Sequence, residues 1–466
     1  MSLADNVSSQ APHHSPCDMA TSVATTRHSR RRLRACHECD LLVALPPLKP
    51  REKAECPRCE HILATRHDKP AERSLALAVA ALIMLTLSVS FPFISFEARG
   101  VTNRIELTET ASTLVGFHEP LVAICVLLTV IILPTVYLCS VIWLSLGLLR
   151  RRILPYSRGI ARALKHLTPW MMADVFVIAA LVSLIKIAGM ADVSLGLSFW
   201  TFCAYALLLL LTTQSIDTDW MWFALASEPL APEGARSGEP ATPQGLSGCT
   251  TCGLVNRLDA QGHGRCRRCG ETLHARTPGS RQRTLALLLA AMVMYIPANL
   301  YPIMSTTSLG NTSPSTIIGG VMLFLQHGDI PIAVIIFTAS VVVPIGKILA
   351  LGWLCYAVRH RGEPLNNVTR VRLYRITEFI GRWSMVDVFV VAILVALIRA
   401  GELMSISPGP AALSFASVVI ITMLAAHSFD PRMIWDDLPQ RPRRTWRNRL
   451  PRDIATVSPR KESDDA

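Results

Sequence analysis

Eight stretches of this chain, residues 73–95, 119–149, 169–190, 196–216, 284–304, 330–358, 383–403 and 411–427, are apolar. Most are close to or above the roughly 20 residues that an α-helix needs to cross hydrocarbon. Bilayer rather than water is therefore expected to be the main solvent of the fold. The composition agrees, with 51% hydrophobic and 17% charged residues and a mean hydropathy of +0.37, outside the range of an ordinary soluble enzyme. The first apolar run begins only after some 70 polar residues, so no signal peptide is expected.

Arginine placement sets the orientation. "RHSRRRLR" (27–34), "RRILPYSRGIARALKH" (151–166), "RHRGEPLNNVTRVRLYR" (359–375) and "RPRRTWRNRLPR" (441–452) fall on one face of the eight-span arrangement. The excess of positive charge predicts that this face, with both termini, is cytoplasmic. The opposite loops carry Glu97, Glu106, Glu109 and Asp329 with few basic residues. A net charge of +12 raises the question of nucleic acid, but the basic runs flank membrane spans. Topology and anionic headgroups account for them, and no nucleic-acid partner is expected.

On the cytoplasmic face the chain writes "CHECDLLVALPPLKPREKAECPRC" (36–59) and, later, "CTTCGLVNRLDAQGHGRCRRC" (249–269). Each copy is a pair of C-x-x-C knuckles, the spacing of a tetrahedral Zn(Cys)4 site. The predicted ligands are Cys36, Cys39, Cys56 and Cys59 in one ribbon and Cys249, Cys252, Cys266 and Cys269 in the other. Four protein ligands leave no position for water or substrate, which favours two structural zinc ions over catalysis. In a reducing cytoplasm thiolates suit zinc better than disulfides. The other five cysteines, Cys17, Cys125, Cys139, Cys203 and Cys355, show no pairing grammar.

The duplication extends beyond the cysteines. "WMMADVFVIAALVSLIKIAG" at 170 matches "WSMVDVFVVAILVALIRAG" at 383, 213 residues on, pairing Trp170 with Trp383, Asp174 with Asp387 and Lys186 with Arg399. "QSIDTDWMW" at 214 matches "HSFDPRMIW" at 427 in the same register. The predicted fold is an all-α polytopic membrane protein of two tandem repeats, each a cytoplasmic zinc ribbon followed by four transmembrane helices. Four is even, so the repeats should be parallel, with each ribbon the foot of its own half. The expected organisation is a disordered basic tail (1–30), ribbon 1 (31–67), a first transmembrane domain (68–226), a flexible linker (227–248), ribbon 2 (249–276), a second transmembrane domain (277–436) and a basic tail (437–466).

Tandem ribbons before four-helix sets, with "MVDVFVVAILVALI", "IPANLYP" and "VVVPIGKILALGWL" in place, resemble the paraquat-inducible protein A family. The resemblance spans residues of about 31 to 440. It implies a multi-pass inner-membrane protein of a Gram-negative bacterium. Such a protein would work with a separate periplasmic MCE-domain partner to move membrane phospholipids between the inner and outer membranes.

Polar residues inside the bilayer are costly and so carry information. Lys347 lies within the sixth apolar stretch, where the matched residue 210 positions earlier is Tyr137. Asp387, and Asp174 in the first half, lie at comparable depth, and Ser340 shares the helix face of Lys347. These four form the expected intramembrane polar site. The competing reading is structural: Lys347 snorkels to headgroups, and the aspartates satisfy donors near helix starts. Lys186 and Arg399, near the opposite span ends, are expected to anchor headgroups. Pro297, Asn299 and Pro302 mark a hinge or a headgroup contact, against the alternative that they only end a helix. Pro134 and Pro344 predict matched kinks.

No nucleophile elbow, Walker A loop, H-E-x-x-H helix or dinucleotide fingerprint is present, and the chain is read as a non-enzyme. Three alternatives stay open: a stand-alone secondary transporter of small amphiphiles, a zinc-ribbon membrane scaffold, and a membrane thiol oxidoreductase.

Overall fold

The computed structural model describes residues 32–98, 101–105, 120–188, 192–308, 311–326, 328, 330–359, 367–397, 404–436 and 460–461. Strands β1 (Leu33–Ala35) with β2 (Leu42–Ala44), and β3 (Glu52–Glu55) with β4 (Ile62–Thr65), form two short antiparallel ladders. They lead into helix α1 (Pro70–Ser90), which opens on a proline where the missing N–H is harmless. A hairpin of β5 (Ile94–Ala98) and β6 (Val101–Ile105) follows at its far end. Helix α2 (Pro120–Leu127) passes through a π-helical segment, Leu128–Ile132, into α3 (Leu133–Leu149). Helices α4 (Ser157–Leu167) and α5 (Ala173–Ala188), strand β7 (Asp192–Leu195), and helices α6 (Leu197–Ser215) and α7 (Thr218–Leu225) complete the half.

The second half presents the same order. Strands β8 (Leu246–Gly248), β9 (Val255–Arg257), β10 (His263–Arg265) and β11 (Thr272–His274) precede α8 (Ser280–Leu300) and the hairpin of β12 (Met304–Ser308) and β13 (Asn311–Ser315). Helices α9 (Ile317–Gln326) and α10 (Ile330–Phe337) lead through a second π segment, Thr338–Val342, into α11 (Val343–Arg359). Helices α12 (Asn367–Trp383) and α13 (Val386–Leu397), strand β14 (Met404–Pro408) and helix α14 (Pro410–Ser428) follow.

Among the described residues seven helices are long and apolar enough to cross a membrane, beginning at Pro70, Ile124, Ser157, Leu197, Ser280, Ala333 and Pro410. The eighth expected stretch, 383–403, is described as helix α13 over 12 residues, and its far end lies outside the described residues.

Matched prolines explain the matched π segments. Pro134 and Pro344 have no N–H for the carbonyls of Val130 and Ser340, four residues earlier. Those carbonyls instead accept from the hydroxyls of Tyr205 and Tyr295, each at 3.4 Å. The first π segment also turns the Thr129 carbonyl outward to the Met172 N–H, at 3.3 Å.

Four features depart from the sequence expectation. First, the part beyond the ribbons is not purely helical: β5 is flanked by β6 and β7, and β12 by β13 and β14, in two three-stranded antiparallel sheets at the helix ends away from the ribbons. A close approach locks each sheet. A Cβ on Gly196 or Gly409 would sit 2.0 or 2.1 Å from the carbonyl oxygen of Pro92 or Pro302, so only glycine fits.

Second, parts of the basic stretches at 151–166 and 359–375 are helical. They contribute the amphipathic helix α4 and much of α12. Third, segment 227–248 is not a free tether. It runs along ribbon 1, with Leu42 N–H on the Glu239 carbonyl (3.0 Å), Gly238 N–H on Leu42 (2.7 Å) and Ala241 N–H on Asp40 (2.8 Å).

Fourth, the ribbons are not the feet of their own halves alone: ribbon 1 meets the first half through Arg34–Asp219 and Arg66–Asp217, ribbon 2 meets the second through Arg276–Asp436, and each also reaches across. The cysteines of ribbon 1 share a core with Leu288, Leu354, Val371, Tyr374 and Trp435 of the second half. Ribbon 2 lies beside the first half, where the Lys165 ammonium donates to the Thr250 carbonyl. The halves meet along α5 and α13, where Phe176 stacks edge-on against Phe389.

Candidate metal centres and intramembrane polar site

Each knuckle is a tight turn closed by its own backbone. The first cysteine's carbonyl accepts from the residue after the second cysteine: Asp40, Glu60, Gly253 and Gly270, all at 2.9 Å. These four residues have left-handed φ values of 62°, 61°, 73° and 77°. Ribbon 2 meets that demand with glycine, whereas ribbon 1 uses Asp40 and Glu60 and ties Asp40 to Arg276 at 3.2 Å.

The turns converge eight buried sulfurs into two groups of four, all ligand atoms of a group within 4.8 Å of one another. Opposed pairs approach to 3.5 Å (Cys36–Cys59, Cys39–Cys56) and 3.4 Å (Cys249–Cys269, Cys252–Cys266). A tetrahedron with metal–sulfur bonds of about 2.3 Å has edges of about 3.8 Å, so either group could hold a metal ion with small adjustment. Contact with the Cys36 sulfur pushes the Cys39 thiol up, and contact with Cys249 does the same to Cys252. A bound cation reverses that tendency by stabilising thiolates.

Ribbon 1 is clamped to helix α12. The Arg375 guanidinium grips the Glu38 carboxylate (Nε to Oε1, 2.9 Å) and also donates to the Cys59 carbonyl at 2.8 Å. Burial pushes the Glu38 carboxyl up, but hydrogen bonds from His61 and Arg375 outweigh it and hold it below the usual carboxylate range. Arg58 donates to the Cys39 carbonyl at 3.3 Å and stacks over Trp435 at 4.2 Å. The cysteine knuckles and the second half are thus joined through the backbone carbonyls of Cys39 and Cys59.

Inside the second half, Lys347 is 2% exposed and donates to the Thr422 hydroxyl at 2.8 Å. A Cβ on Gly381 would lie 3.4 Å from the ammonium, so the absence of a side chain there makes its room. In the first half the three corresponding residues are Tyr137, Leu209 and Thr168. Lysine, its hydroxyl partner and the glycine gap are thus all three absent from the matched positions of the first half. Ser340 is buried in the π segment two turns before Lys347. Asp174 lies half-buried in the first turn of α5. Asp387 is the second residue of α13, and its side chain lies outside the described residues. Thr422 and Gly381 escape a reading of single residues, but the repeat register marks both as departures from the first half.

The model for "Paraquat-inducible protein A" matches residues 71–226 and again residues 281–439. The chain belongs to the paraquat-inducible protein A family. It is 40% identical over 408 residues to intermembrane transport protein PqiA of Escherichia coli strain K12, covering 87% of this chain and 96% of that relative. It is 29% identical over 403 residues to lipophilic envelope-spanning tunnel protein A of the same strain, covering 86% and 90%. Over 407 residues it is 30% identical to a probable intermembrane transport protein of Haemophilus influenzae, covering 86% and 95%. No solved structure matches the chain.

The two family matches begin at the first turns of α1 and α8 and leave out the ribbons. In this paraquat-inducible protein A family member, Pro297, Asn299 and Pro302, the expected hinge or headgroup contact, lie at and beyond the end of α8. Pro297 lies inside α8, the Asn299 amide donates to the Tyr295 carbonyl at 2.9 Å, and Pro302 faces Gly409. Lys186 and Arg399 carry no described side chain.

Proposed function

We propose that this family member moves lipids across the envelope of a Gram-negative bacterium, loading or unloading a periplasmic MCE-domain tunnel from the inner membrane. The observation that carries this reading is near full-length similarity to proteins named for intermembrane transport and for an envelope-spanning tunnel. Within it, eight transmembrane helices form two parallel four-helix halves, and both ribbons and both termini face the cytoplasm. Each ribbon holds one structural zinc through its four cysteines. Closed coordination gives the metal no substrate position, so the chain acts as a transporter rather than an enzyme.

The second half carries the working site. Lys347, with Ser340 and Asp387, and with Asp174 across the seam, biases a lipid cleft between two states. A buried ammonium held by Thr422 supports this, because intramembrane lysines are costly and usually functional. Pro297, Asn299 and Pro302 set the periplasmic end of α8, where lipid passes to the partner.

Affinity purification from native membranes in mild detergent, with mass spectrometry of protein and lipid, tests the reading. An MCE-domain protein and phospholipid in the eluate are expected. A partnerless protein that moves small amphiphiles in liposomes by itself would replace the proposal with a stand-alone transporter.

A further inference from the structure

The halves differ sharply in charge where helices α6 and α14 end beside the ribbons. The matched sequences there are "QSIDTDWMW" and "HSFDPRMIW". In the second half Asp430 is saturated. It accepts from Thr277 N (3.0 Å) and Oγ1 (3.2 Å) and from Arg432 N (3.1 Å), Nε (2.9 Å) and Nη2 (2.7 Å). Arg276 closes the neighbouring space by pairing with Asp40 and Asp436.

In the first half the counterpart of Arg432 is Asp219, and that of Thr277 is His67. Asp217, the counterpart of Asp430, is 3% exposed. Its Oδ1 caps α7 through the Trp220 N–H at 2.8 Å, while Oδ2 is buried and receives no hydrogen bond among the described residues. Arg66, the counterpart of Arg276, stops 3.7 Å from that oxygen. Asp219 is already bound by the Arg34 guanidinium, with Nε at 3.1 Å. A buried carboxylate oxygen without a donor is costly, and the matched site shows how readily the fold can supply one.

The unfilled space is a cavity of about 230 Å³ bordered by Arg32, Arg66, Asp217, Asp219, Trp220 and Phe223. Asp217 and Trp220 also wall a smaller recess lined by Val141, Leu144, Leu148 and Leu164. A chamber holding the Asp217 carboxylate, whose Oδ2 has an ion partner in Arg66 at 3.7 Å but no hydrogen bond among the described residues, with Arg32 and apolar side chains around it, thus adjoins an apolar recess. A bare anion would leave Asp217 Oδ2 without a hydrogen bond, and a bare cation would meet Arg66. A quaternary ammonium has no N–H to give Oδ2, and Phe223 is already covered by Arg32 at 5.7 Å.

We propose that this cavity binds the zwitterionic headgroup of an aminophospholipid, its primary ammonium on Asp217, its phosphate on Arg32 and Arg66, and its glycerol end toward Trp220 and the apolar recess. The site is in the first half, apart from Lys347. It does not rest on the transport reading, because it is tested by direct binding.

The full-length protein, stripped of lipid in detergent, would be titrated with short-chain phosphatidylethanolamine, phosphatidylcholine, phosphatidylglycerol and free phosphoethanolamine, with adducts followed by native mass spectrometry. Phosphatidylethanolamine should bind at the lowest concentration. Asp217→Asn, which keeps the helix cap, should weaken it about tenfold, as loss of one charge-assisted hydrogen bond does. Arg66→Gln should weaken it as well, and a melting temperature for Asp217→Asn no lower than wild type shows that the fold is intact. Equal binding of the three lipids, or wild-type binding by Asp217→Asn, overturns the proposal. Phosphoethanolamine binding as tightly as the lipid overturns the lipid assignment in favour of a soluble ligand.

Discussion

Phe176 packs edge-on against Phe389, its own counterpart 213 residues later, with ring centroids 5.6 Å apart and planes crossed at 66°. A residue can touch its own counterpart only beside the axis that relates two copies. The Ser183 hydroxyl meets the Val390 carbonyl at 3.5 Å on the same seam, so α5 and α13 hold the halves together.

Truncating either ring should cost about 3 kcal/mol, the range for deleting a buried phenylalanine. Because both changes remove one shared contact, Phe176→Ala with Phe389→Ala should cost about 1 kcal/mol less than the separate losses. Unfolding of the detergent-solubilised protein measures this. Strict additivity would mean that the two rings do not form the seam.

Crosswise docking makes a directional prediction about metal loss. Cys56→Ser should lower bound zinc from two ions per chain to one and free the Arg375 clamp in the second half. Limited trypsin digestion should then cut near Arg372 and Arg375, while Cys266→Ser, by freeing Lys165 from the Thr250 carbonyl, should open α4 to cleavage near Arg162 and Lys165 in the first half. The reverse pattern would show that each ribbon supports its own half.

The parts of the fold set by local pattern were legible in the sequence. Apolar length marked most of the spans, C-x-x-C spacing marked the eight sulfurs, and Pro134 and Pro344 marked a disturbed helix that takes the form of a π segment. Amphipathic α4 was legible in principle, since its buried residues Ser157, Ala161 and Leu164 recur at helical spacing, but its arginines drew attention instead. The second hairpin was hidden because "MSTTS" and "NTSPS" have no apolar alternation, and tertiary pairing rather than propensity makes them strands, whereas "ISFEA" and "MSISP" do alternate but are too short beside the apolar spans to stand out. Ribbon docking was not legible, because repeat register says which residues correspond and not which half a linker lets them reach. Thr422 and Gly381 fall between these cases. Each is unremarkable alone, and informative once aligned with Leu209 and Thr168.

That alignment suggests rewriting the Lys347 site in the chemistry of the first half. Lys347→Tyr, Gly381→Thr and Thr422→Leu together replace an ammonium, a gap and a hydroxyl by the residues at the matched positions. A lysine within a membrane span costs up to about 2.5–3.5 kcal/mol, so the triple variant should be folded and as stable as wild type or more so. Lipid transport, scored by rescue of envelope integrity in a deletion strain, should nevertheless fail. Normal rescue would reduce Lys347 to a structural or headgroup-anchoring role.

Asp217 and Asp430, matched in sequence, should respond to pH with opposite signs. Burial pushes the Asp430 carboxyl up, but the hydrogen bonds from Arg432 and Thr277 outweigh it and hold it below the usual carboxylate range. A depressed acid stabilises the fold above the unfolded value of about 4 and loses that contribution as pH falls through its folded value. Asp430→Asn should therefore cost about 2 kcal/mol at pH 7, a deficit that disappears in acid. Burial also pushes Asp217 up, and there the Trp220 N–H and Arg66 offset it only in part. Its ionised form opposes folding, a penalty absent below about pH 4 that grows as pH rises through the folded value. Asp217→Asn should accordingly raise the melting temperature of the lipid-free protein at pH 7 and leave it unchanged in acid. A parallel loss in both variants would mean that Asp217 has a partner as strong as Arg432, and that the cavity beside it is not waiting for a cation.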